Sequence, residues 1–391
     1  MRLYITALKP TDSVTHGFLP AARALGCRIT ILTDRPEQHA DGEHEVLACD
    51  VRDPRAIIDA ITHHHRPDAV FTNSDHIQAE TALAAAYFGL PGKDWRACLT
   101  AKNKALTRRR LADAGVERVR SLRLAPGDPI PDDTPLPAVV KPREGVASED
   151  VVLVKDTTEL AEAVAAIRAR RPGQALVVEE YLQGPLYTLE TLGDGRTTRV
   201  LGGFATTLGP LPHFVEERLD WSPPPAADHV TTALAALGVG FGACHTEYVV
   251  TASGPRIIEV NYRVIGDHCD FLLADLLGVP LFEQILRVHL GEPLPAPPPP
   301  VTGHGAAVSL VADRSGVITE APPVVTPGDG DPVRLWHRPL RAVGERVEVG
   351  HTNRDYLGIV RAIGPDRRAV DAAVEAFRAE HPWRIDPVEA G

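Results

Sequence analysis

Seven residues of this 391-residue chain have types and spacing that could do chemistry together: Lys104, Lys141, Glu179, Glu247, Glu259, Asn261 and Arg263. Lysines far apart in the chain suit a polyphosphate, and carboxylates joined by an amide oxygen suit a hard divalent cation such as Mg²⁺ or Mn²⁺. The densest stretch, residues 245–263, reads HTEYVVTASGPRIIEVNYR. Residues 245–251 and 256–261 are β-rich, and Ala252, Ser253 and Gly254 between them suit a three-residue hairpin loop. In that register Glu247 faces Glu259 and His245 faces Asn261, all on one side of the ribbon because strand side chains alternate. Val249 and Ile257 extend this side, while Tyr248, Val250, Ile258 and Val260 take the other. Facing carboxylates repel unless a cation joins them. The competing reading is a solvated hairpin whose charges meet only water, and the apolar neighbours on both faces weigh against it.

The elements that position these residues follow from composition and pattern. The chain is 44% hydrophobic and longer than one core usually serves, so two to four subdomains are expected. A net charge of −11 argues against a nucleic-acid or anionic-membrane partner. Cys27, Cys49, Cys98, Cys244 and Cys269 form no CxxC pair, the N-terminal MRLYITALKP lacks a signal peptide's apolar region, and no apolar run reaches spanning length. These features lead to the expectation of a cytoplasmic protein with free thiols, and base rates favour a homodimer.

Residues 3–8, 28–32 and 69–72 read as strands and 16–25, 54–63 and 77–88 as helices between them, the rhythm of an open parallel sheet. Thr33 and Asp34, and Asn73 to His76, fall at strand ends, where such sheets place ligands. No GxGxxG follows the first strand, which argues against a dinucleotide site, and Asn73, Ser74 and Asp75 are expected to cap the next helix, since Ser, Asn and Asp are the preferred caps. Residues 98–116, CLTAKNKALTRRRLADAGV, read as one basic helix ending at Gly115. Two strands joined by a small polar loop follow, with Lys141 closing the first. Their loop could donate backbone N–H groups to phosphate. A helix at 158–168 precedes a strand that runs into VVEEYLQGPLY. Proline-rich residues 293–301 suit a linker, and beyond it strands at 306–311, 333–335, 346–349 and 356–362 with a helix at 368–378 suggest a small α/β cap.

The order of these parts resembles the ATP-grasp ligase superfamily over nearly the whole chain. The motifs that carry the resemblance are Lys104 before Gly115, Lys141 in VVKP ahead of a Gly/Ser loop, Glu179-Glu180-Tyr181-Leu182 after an apolar strand, then Glu247 and Glu259-x-Asn261-x-Arg263. The HxE spacing, PHFVEE at 212–217 and the segment after Pro300 look most like bacterial L-amino-acid ligases, which are carboxylate–amine ligases. The resemblance implies an α/β (α+β) ATP-grasp fold with an N-terminal open parallel-sheet domain at 1–98. It also implies a lysine and phosphate-loop subdomain at 99–183, a metal-binding catalytic subdomain at 184–300 and a small cap at 301–391.

The same resemblance implies ATP and Mg²⁺, with Mn²⁺ as a substitute, as cofactors. Lys104, Lys141 and Ser148 would hold phosphates, backbone groups of Glu180 and Leu182 the adenine edge, and Glu179 the adenine amino group or ribose. Glu247, Glu259 and Asn261 would ligate metal, and Arg263 would face the transferred phosphoryl group. The implied partners are a small-molecule carboxylate and an amine, joined through an acyl phosphate with release of ADP and phosphate, in dipeptide or siderophore biosynthesis. His245 and His268 are candidate bases by position, and Phe214, Glu216 and Arg218 candidate walls of a substrate pocket. Asp267 either caps the helix that follows or selects a cationic amine. Two positions depart from the family pattern: Asp150 stands where the phosphate loop often has a second Gly, and Leu186 where relatives place a ribose-binding Glu. The alternatives are a siderophore synthetase joining a polycarboxylate to an amine, and a catalytically silent nucleotide-binding regulator. Intact Glu259, Asn261 and Arg263 argue against the second.

Overall fold

The computed structural model describes residues 1–40 and 42–387. Three apolar runs, β1 (Arg2–Thr6), β2 (Arg28–Thr33) and β4 (Ala69–Phe71), form a parallel sheet with the partly exposed edge strand β3 (Glu45–Ala48) in the order β3-β2-β1-β4. Their side chains are apolar on both faces because both are covered. Leu3 and Ile5 pack with Phe18 and Phe282 on one side, and Tyr4 packs with Ile57 and Ile61 on the other. The covering helices are α1 (Leu19–Ala24), which continues a π-helical turn at Ser13–Phe18, α2 (Pro54–Thr62) and α3 (Gln78–Tyr87). Gly17 sits in that turn under the Phe282 ring, which a Cβ would approach to 2.5 Å. Strand β3 was not expected, since it is a four-residue edge strand with no fully buried side chain.

The basic segment is two helices, α4 (Trp95–Lys102) and α5 (Lys104–Asp113), and not the single one expected. Asn103 is extended (φ −101°, ψ 101°), and its side chain accepts from the Leu106 N–H at 3.2 Å as the N-cap of α5. The break makes Lys104 the first residue of α5, and its backbone N–H donates to the Arg143 carbonyl at 3.1 Å. Lys104 is thereby tied to an antiparallel sheet built from β5 (Ser121–Leu124), β6 (Ala138–Pro142), β7 (Val152–Val154) and β8 (Leu176–Glu180) in the order β5-β8-β6-β7. Leu160, Val164 and Ile167 of α6 (Thr157–Arg170) cover this sheet.

The rest of the chain is organised on one nine-stranded sheet. Its first part holds β9 (Leu186–Asp194), β10 (Thr198–Gly202), β11 (Phe204–Leu208), β12 (Glu216–Trp221), β13 (Phe241–Thr251) and β14 (Gly254–Asn261), with α7 (Ala227–Leu237), α8 (Cys269–Leu277) and α9 (Leu281–His289). After the proline-rich segment come β15 (His304–Val311), β16 (Gly316–Glu320), β17 (Arg334–Pro339), β18 (Arg346–Val347), β19 (Tyr356–Gly364), α10 (Arg367–Glu380) and β20 (Arg384–Asp386). Strand order β14-β13-β9-β11-β12-β15-β19-β17 carries the C-terminal strands into the same sheet through β12 and β15, where Arg218 pairs with Val308. Strands β16, β18 and β20 form a small separate sheet. Among the described residues, no helix is long and apolar enough to cross a membrane.

Candidate active site

The β13–β14 hairpin turns through two residues, Ala252 and Ser253, with Thr251 paired to Gly254, where three loop residues were expected. Uniform pairing from that turn would set Glu247 against Ile258 and take Glu259 off its face. A β-bulge between Glu247 and Tyr248 inserts one residue, Ile258, and restores Glu247 opposite Glu259 and His245 opposite Asn261. The bulge also exchanges two expected faces. Ile257 is buried with Tyr248 and Val260, while Ile258 lies beside Val249 on the carboxylate side.

That side is the wall of a cavity of about 350 Å³ between the hairpin and the β6–β8 sheet. Lys104, Lys141, Ser148, Glu179, Glu180, Leu182, His245, Glu247, Glu259, Asn261 and Arg263 all line it, although they span 160 positions of sequence. Lys104 Nζ lies 2.7 Å from Glu259 Oε1, and Lys141 Nζ lies 2.8 Å from Glu179 Oε2. Burial disfavours the charge on Lys104, but Glu259 outweighs it and raises the ammonium's pKa. Burial prevails at Lys141, whose pKa falls despite Glu179 and with Arg108 and Lys104 nearby.

Glu179 does not stand free to meet a ribose. It is 3% exposed, and its oxygens accept from Arg108 Nε at 2.8 Å and Nη2 at 3.0 Å as well as from Lys141. Burial works against its ionisation, yet Arg108 and Lys141 hold it below the usual carboxylate range. Its role in this geometry is to aim Lys141. The neighbouring Glu180 donates its N–H to the Arg120 carbonyl at 2.9 Å, and its carboxylate accepts from the Arg120 N–H at 2.8 Å. Gly184 lets this segment pass close to β13, because a Cβ there would sit 2.2 Å from the Val250 carbonyl oxygen. Leu186 lines the cavity and adds an apolar surface in place of a carboxylate.

The two histidines have different fates. His245 Nδ1 lies 2.7 Å from Glu190, its cross-strand partner in β9, and Nε2 lies 3.5 Å from Glu247. Burial opposes its protonation, but Glu190 and Glu247 raise its pKa to about 10. Its protonated form is thus favoured, held between Glu190 and the clamp's Glu247. His268 lies outside the cavity lining: its Nε2 is 2.9 Å from Asp12, which also accepts from Arg338 at 2.8 Å and 3.0 Å. The hydrogen bond from His268, helped by Arg338, lowers Asp12 to about 2 against the effect of its burial. Asp12 of the N-terminal domain thus ties His268 to Arg338 of β17, and His268 stands away from the cavity in which a base would act.

The His245 geometry carries a prediction with a definite sign. A histidine raised from 6.5 to about 10 stabilises the fold fully below pH 6.5 and loses that contribution as the pH climbs through about 10. In a chelating buffer, the wild type's urea midpoint should fall between pH 7 and pH 10. Glu190→Gln should flatten that slope and cost about 3 kcal/mol at pH 7, because it strips a buried charge of its partner. Equal slopes in the two proteins would show that Glu190 does not hold the proton on His245.

The phosphate loop between β6 and β7 is strained and braced. Ala147, Ser148 and Asp150 have φ of 58°, 53° and 58°, a left-handed region that non-glycine residues seldom enter. Asp150 does not project its charge unscreened toward phosphates, since Arg170 Nη2 lies 2.5 Å from one oxygen and Arg171 Nε 2.8 Å from the other. Glu149 pairs with Arg171 at 2.8 Å and with Arg354, and the Asn353 N–H donates to the Ala147 carbonyl at 3.0 Å. The loop is therefore closed against the C-terminal region.

The clamp's donors are all oxygens. Asn261 Nδ2 donates to Glu247 Oε1 at 3.3 Å, which leaves its Oδ1 for a cation beside the carboxylates. Burial would raise Glu247, but His245 and the two lysines keep it below its ordinary value and so ionised. This set fits Mg²⁺ or Mn²⁺ in chemistry and charge. Asp75 does not cap α3, whose N-cap is Ile77. It pairs with Lys102 and lies 3.9 Å from Arg263 Nε; burial works against its charge, yet these cations lower it to about 2. Arg263 is steadied further by donating to the Val264 carbonyl at 2.8 Å.

A family model for the ATP-grasp domain matches residues 134–271, from just before β6 to α8, which takes in the phosphate loop and the clamp. The chain carries an ATP-grasp domain and has the ATP-grasp fold. This ATP-grasp fold matches the crystal structure of an L-amino acid ligase from Bacillus licheniformis with a TM-score of 0.78 over 99% of both chains, at 20% identity. In sequence the chain is 32% identical over 318 residues to uncharacterized protein y4rH of Sinorhizobium fredii, covering 77% of this chain and 64% of that one. It is 28% identical over 280 residues to carnosine synthase 1 of Homo sapiens, covering 63% of this chain and 34% of that one. The chain thus spans less than two thirds of the length of these curated relatives.

Several residues that build this ATP-grasp site carry no local signal. Arg108 lies among basic residues of α5, yet it is buried and bonds Glu179, Glu117 and the Ile257 carbonyl. Glu117 in turn accepts from the Ile257 N–H at 3.1 Å and lies 2.7 Å from His229. Glu190 could have been found from pairing alone, because a charged residue in the apolar run LYTLETL invites a buried partner on the neighbouring strand. Of the expected pocket walls, Phe214 and Glu216 line the cavity, while Arg218 turns away to Asp220 at 2.7 Å and Asp371 at 2.5 Å. Burial, with Glu247 and Asp267 nearby, pushes the Glu216 carboxyl up to about 8.

Proposed function

We propose that the protein is an ATP-dependent ligase that joins a carboxylate to an amine with release of ADP and phosphate. The observation that carries this reading is the convergence in one cavity of two lysines, a facing pair of carboxylates and Arg263. Lys104 and Lys141 would hold the phosphates, and Glu247, Glu259 and Asn261 would hold Mg²⁺. Bound there, Mg²⁺ would withdraw charge from the phosphate oxygens. A carboxylate oxygen attacks the γ-phosphorus and ADP leaves; an amine then attacks the acyl carbon, loses a proton, and phosphate leaves. The protein's share is positioning, neutralisation of charge and exclusion of water from the acyl phosphate. Arg263, beyond the clamp, would face the acyl phosphate in both steps.

In this reading residues 1–98 support Arg263 through Asp75, 99–183 supply the lysines and loop, 184–300 the clamp, and 301–391 close the loop through Asn353 and Arg354. The names of the L-amino acid ligase and carnosine synthase 1 favour amino acids as substrates and a small peptide-like product. The test is turnover with Mg²⁺ and a panel of amino acids, polycarboxylates and amines, separating ADP from AMP and weighing the products. ADP, phosphate and an amide mass are expected. AMP and pyrophosphate would overturn the acyl-phosphate route.

A further inference from the structure

The N-terminal sheet carries a second constellation, away from the cavity. Helix α2 ends at Thr62 with His63 as its C-cap, and the turn that follows brings the rings of His64 and His65 to 4.2 Å between centroids. Consecutive residues within a helix do not face each other in this way. A ring nitrogen of each and a carboxylate oxygen of Glu45, the first residue of β3, lie within 4.8 Å of one another. Two imidazoles and a carboxylate suit a borderline cation such as Zn²⁺, whereas Mg²⁺ takes oxygen ligands.

Buried Tyr4 sets the state of the pair. Its hydroxyl donates to the His65 carbonyl at 2.9 Å, accepts from the His65 N–H at 3.1 Å and lies 2.8 Å from His64 Nδ1. The hydroxyl's one proton is spent on the carbonyl, so Nδ1 supplies the hydrogen of the third contact and the neutral ring keeps its lone pair on Nε2. Nε2 is the nitrogen that faces Glu45, 3.7 Å from Oε2. A ligating histidine is commonly oriented in this manner, by giving its other N–H to a fixed oxygen. Glu45 is fixed as well: the Thr30 hydroxyl donates to Oε2 at 2.9 Å, and Arg2 pairs with the same oxygen. Arg2 opposes a cation by its charge, which lowers affinity without closing the site. Glu45 and His65 are exposed, so their side chains can move to the ~2 Å bonds that zinc makes.

We propose that Glu45, His64 and His65 form a Zn²⁺ site, completed by water, that clips the edge strand β3 to the segment entering β4. Its role is structural. The ligands lie at the start of β3 and ahead of β4, the end of the parallel sheet opposite Asp75, which follows β4 and reaches Arg263. The edge strand has no fully buried side chain of its own, and a bound ion would anchor it. Nothing in this inference depends on the ligase reading.

Calorimetric titration of the untagged chain with Zn²⁺, in excess Mg²⁺ to occupy the clamp, should show one equivalent bound. His64→Ala and His65→Ala should each weaken binding at least tenfold, and Tyr4→Phe about ten- to a hundredfold although both imidazoles remain. His213→Ala, which alters a stacked histidine pair elsewhere on the chain, should change nothing. The same equivalent should persist in Glu259→Gln, which separates this site from the clamp. Zinc at a hundredfold excess over its Kd should raise the melting midpoint of the wild type by about 3 °C and leave that of His65→Ala, a change at an exposed position, where it was. Absence of binding to the wild type, or equal binding to the wild type, His64→Ala and His65→Ala, would overturn the site. Unchanged affinity in Tyr4→Phe would overturn the part assigned to the tyrosine.

Discussion

Glu259→Gln should keep the wild-type fold, at a cost in stability from leaving buried Lys104 without its partner, and release ADP at roughly a thousandth of the wild-type rate or less. The substitution keeps the length of the side chain and an oxygen near Lys104, so packing is preserved. It removes the charge that balances Lys104 at 2.7 Å and one of the two carboxylates of the clamp. With Glu247 as the remaining carboxylate, a divalent cation loses about half its charged ligands, and phosphoryl transfer loses the charge neutralisation on which it depends. Lys104 should then titrate lower, because Glu259 is what raises it against burial. Circular dichroism would confirm folding, and ADP release with the best substrate pair would give the rate. Turnover within twofold of wild type would remove Glu259 from the mechanism and with it the clamp. A regulator that only binds nucleotide would show no ADP release in either protein, a different outcome that separates the two readings.

The route from sequence to site was clearest where a feature is local. The parallel sheet was legible because both faces are buried, which makes strands such as LYIT and ITIL continuous apolar runs. Strand β3 was not, because an edge strand of four partly exposed residues leaves no run to detect. Opposition of Glu247 and Glu259 was expected through the wrong turn, and it holds because the Ile258 bulge offsets a loop one residue shorter. Sequence alternation cannot register a bulge at the second of two adjacent isoleucines. The break at Asn103 was visible in principle, since Asn is a preferred N-cap, but good helix formers on both sides hide it. What sequence could not supply is partner choice. Glu179 is an acid that could meet a ribose or a cation, and only the position of Arg108, 71 residues earlier, decides between them. His245 is likewise a base or a cation according to whether Glu190 stands across the strand.

That dependence on distant partners gives the second large effect. Arg108→Met should destabilise the fold by about 3–5 kcal/mol, the cost of breaking a buried ion pair by removing one side. Arg108 is 7% exposed, and it holds Glu179 through two hydrogen bonds, Glu117 at 3.3 Å and the Ile257 carbonyl next to the bulge. Methionine fills similar volume, so the loss is electrostatic and not a cavity effect. Two buried carboxylates would then compete for the cations that remain: Lys141 for Glu179, and His229 for Glu117. The consequences should separate by pH. Glu179 in the wild type is held below its ordinary value, so its contribution is present above the usual carboxylate pKa and is lost as acid protonates it. Arg108→Met removes much of that depression, and its deficit relative to wild type should shrink as the pH falls toward that of protonated carboxylates. Urea denaturation at pH 7 and at a pH well below the ordinary carboxylate range measures both parts. Arg108→Lys should recover only part of the loss at pH 7, because an ammonium cannot reproduce the planar fork that spans both Glu179 oxygens. A deficit that is the same at both pH values would assign the role of Arg108 to packing, and the charge network that aims Lys141 would have to be rebuilt on Glu179 and Lys141 alone.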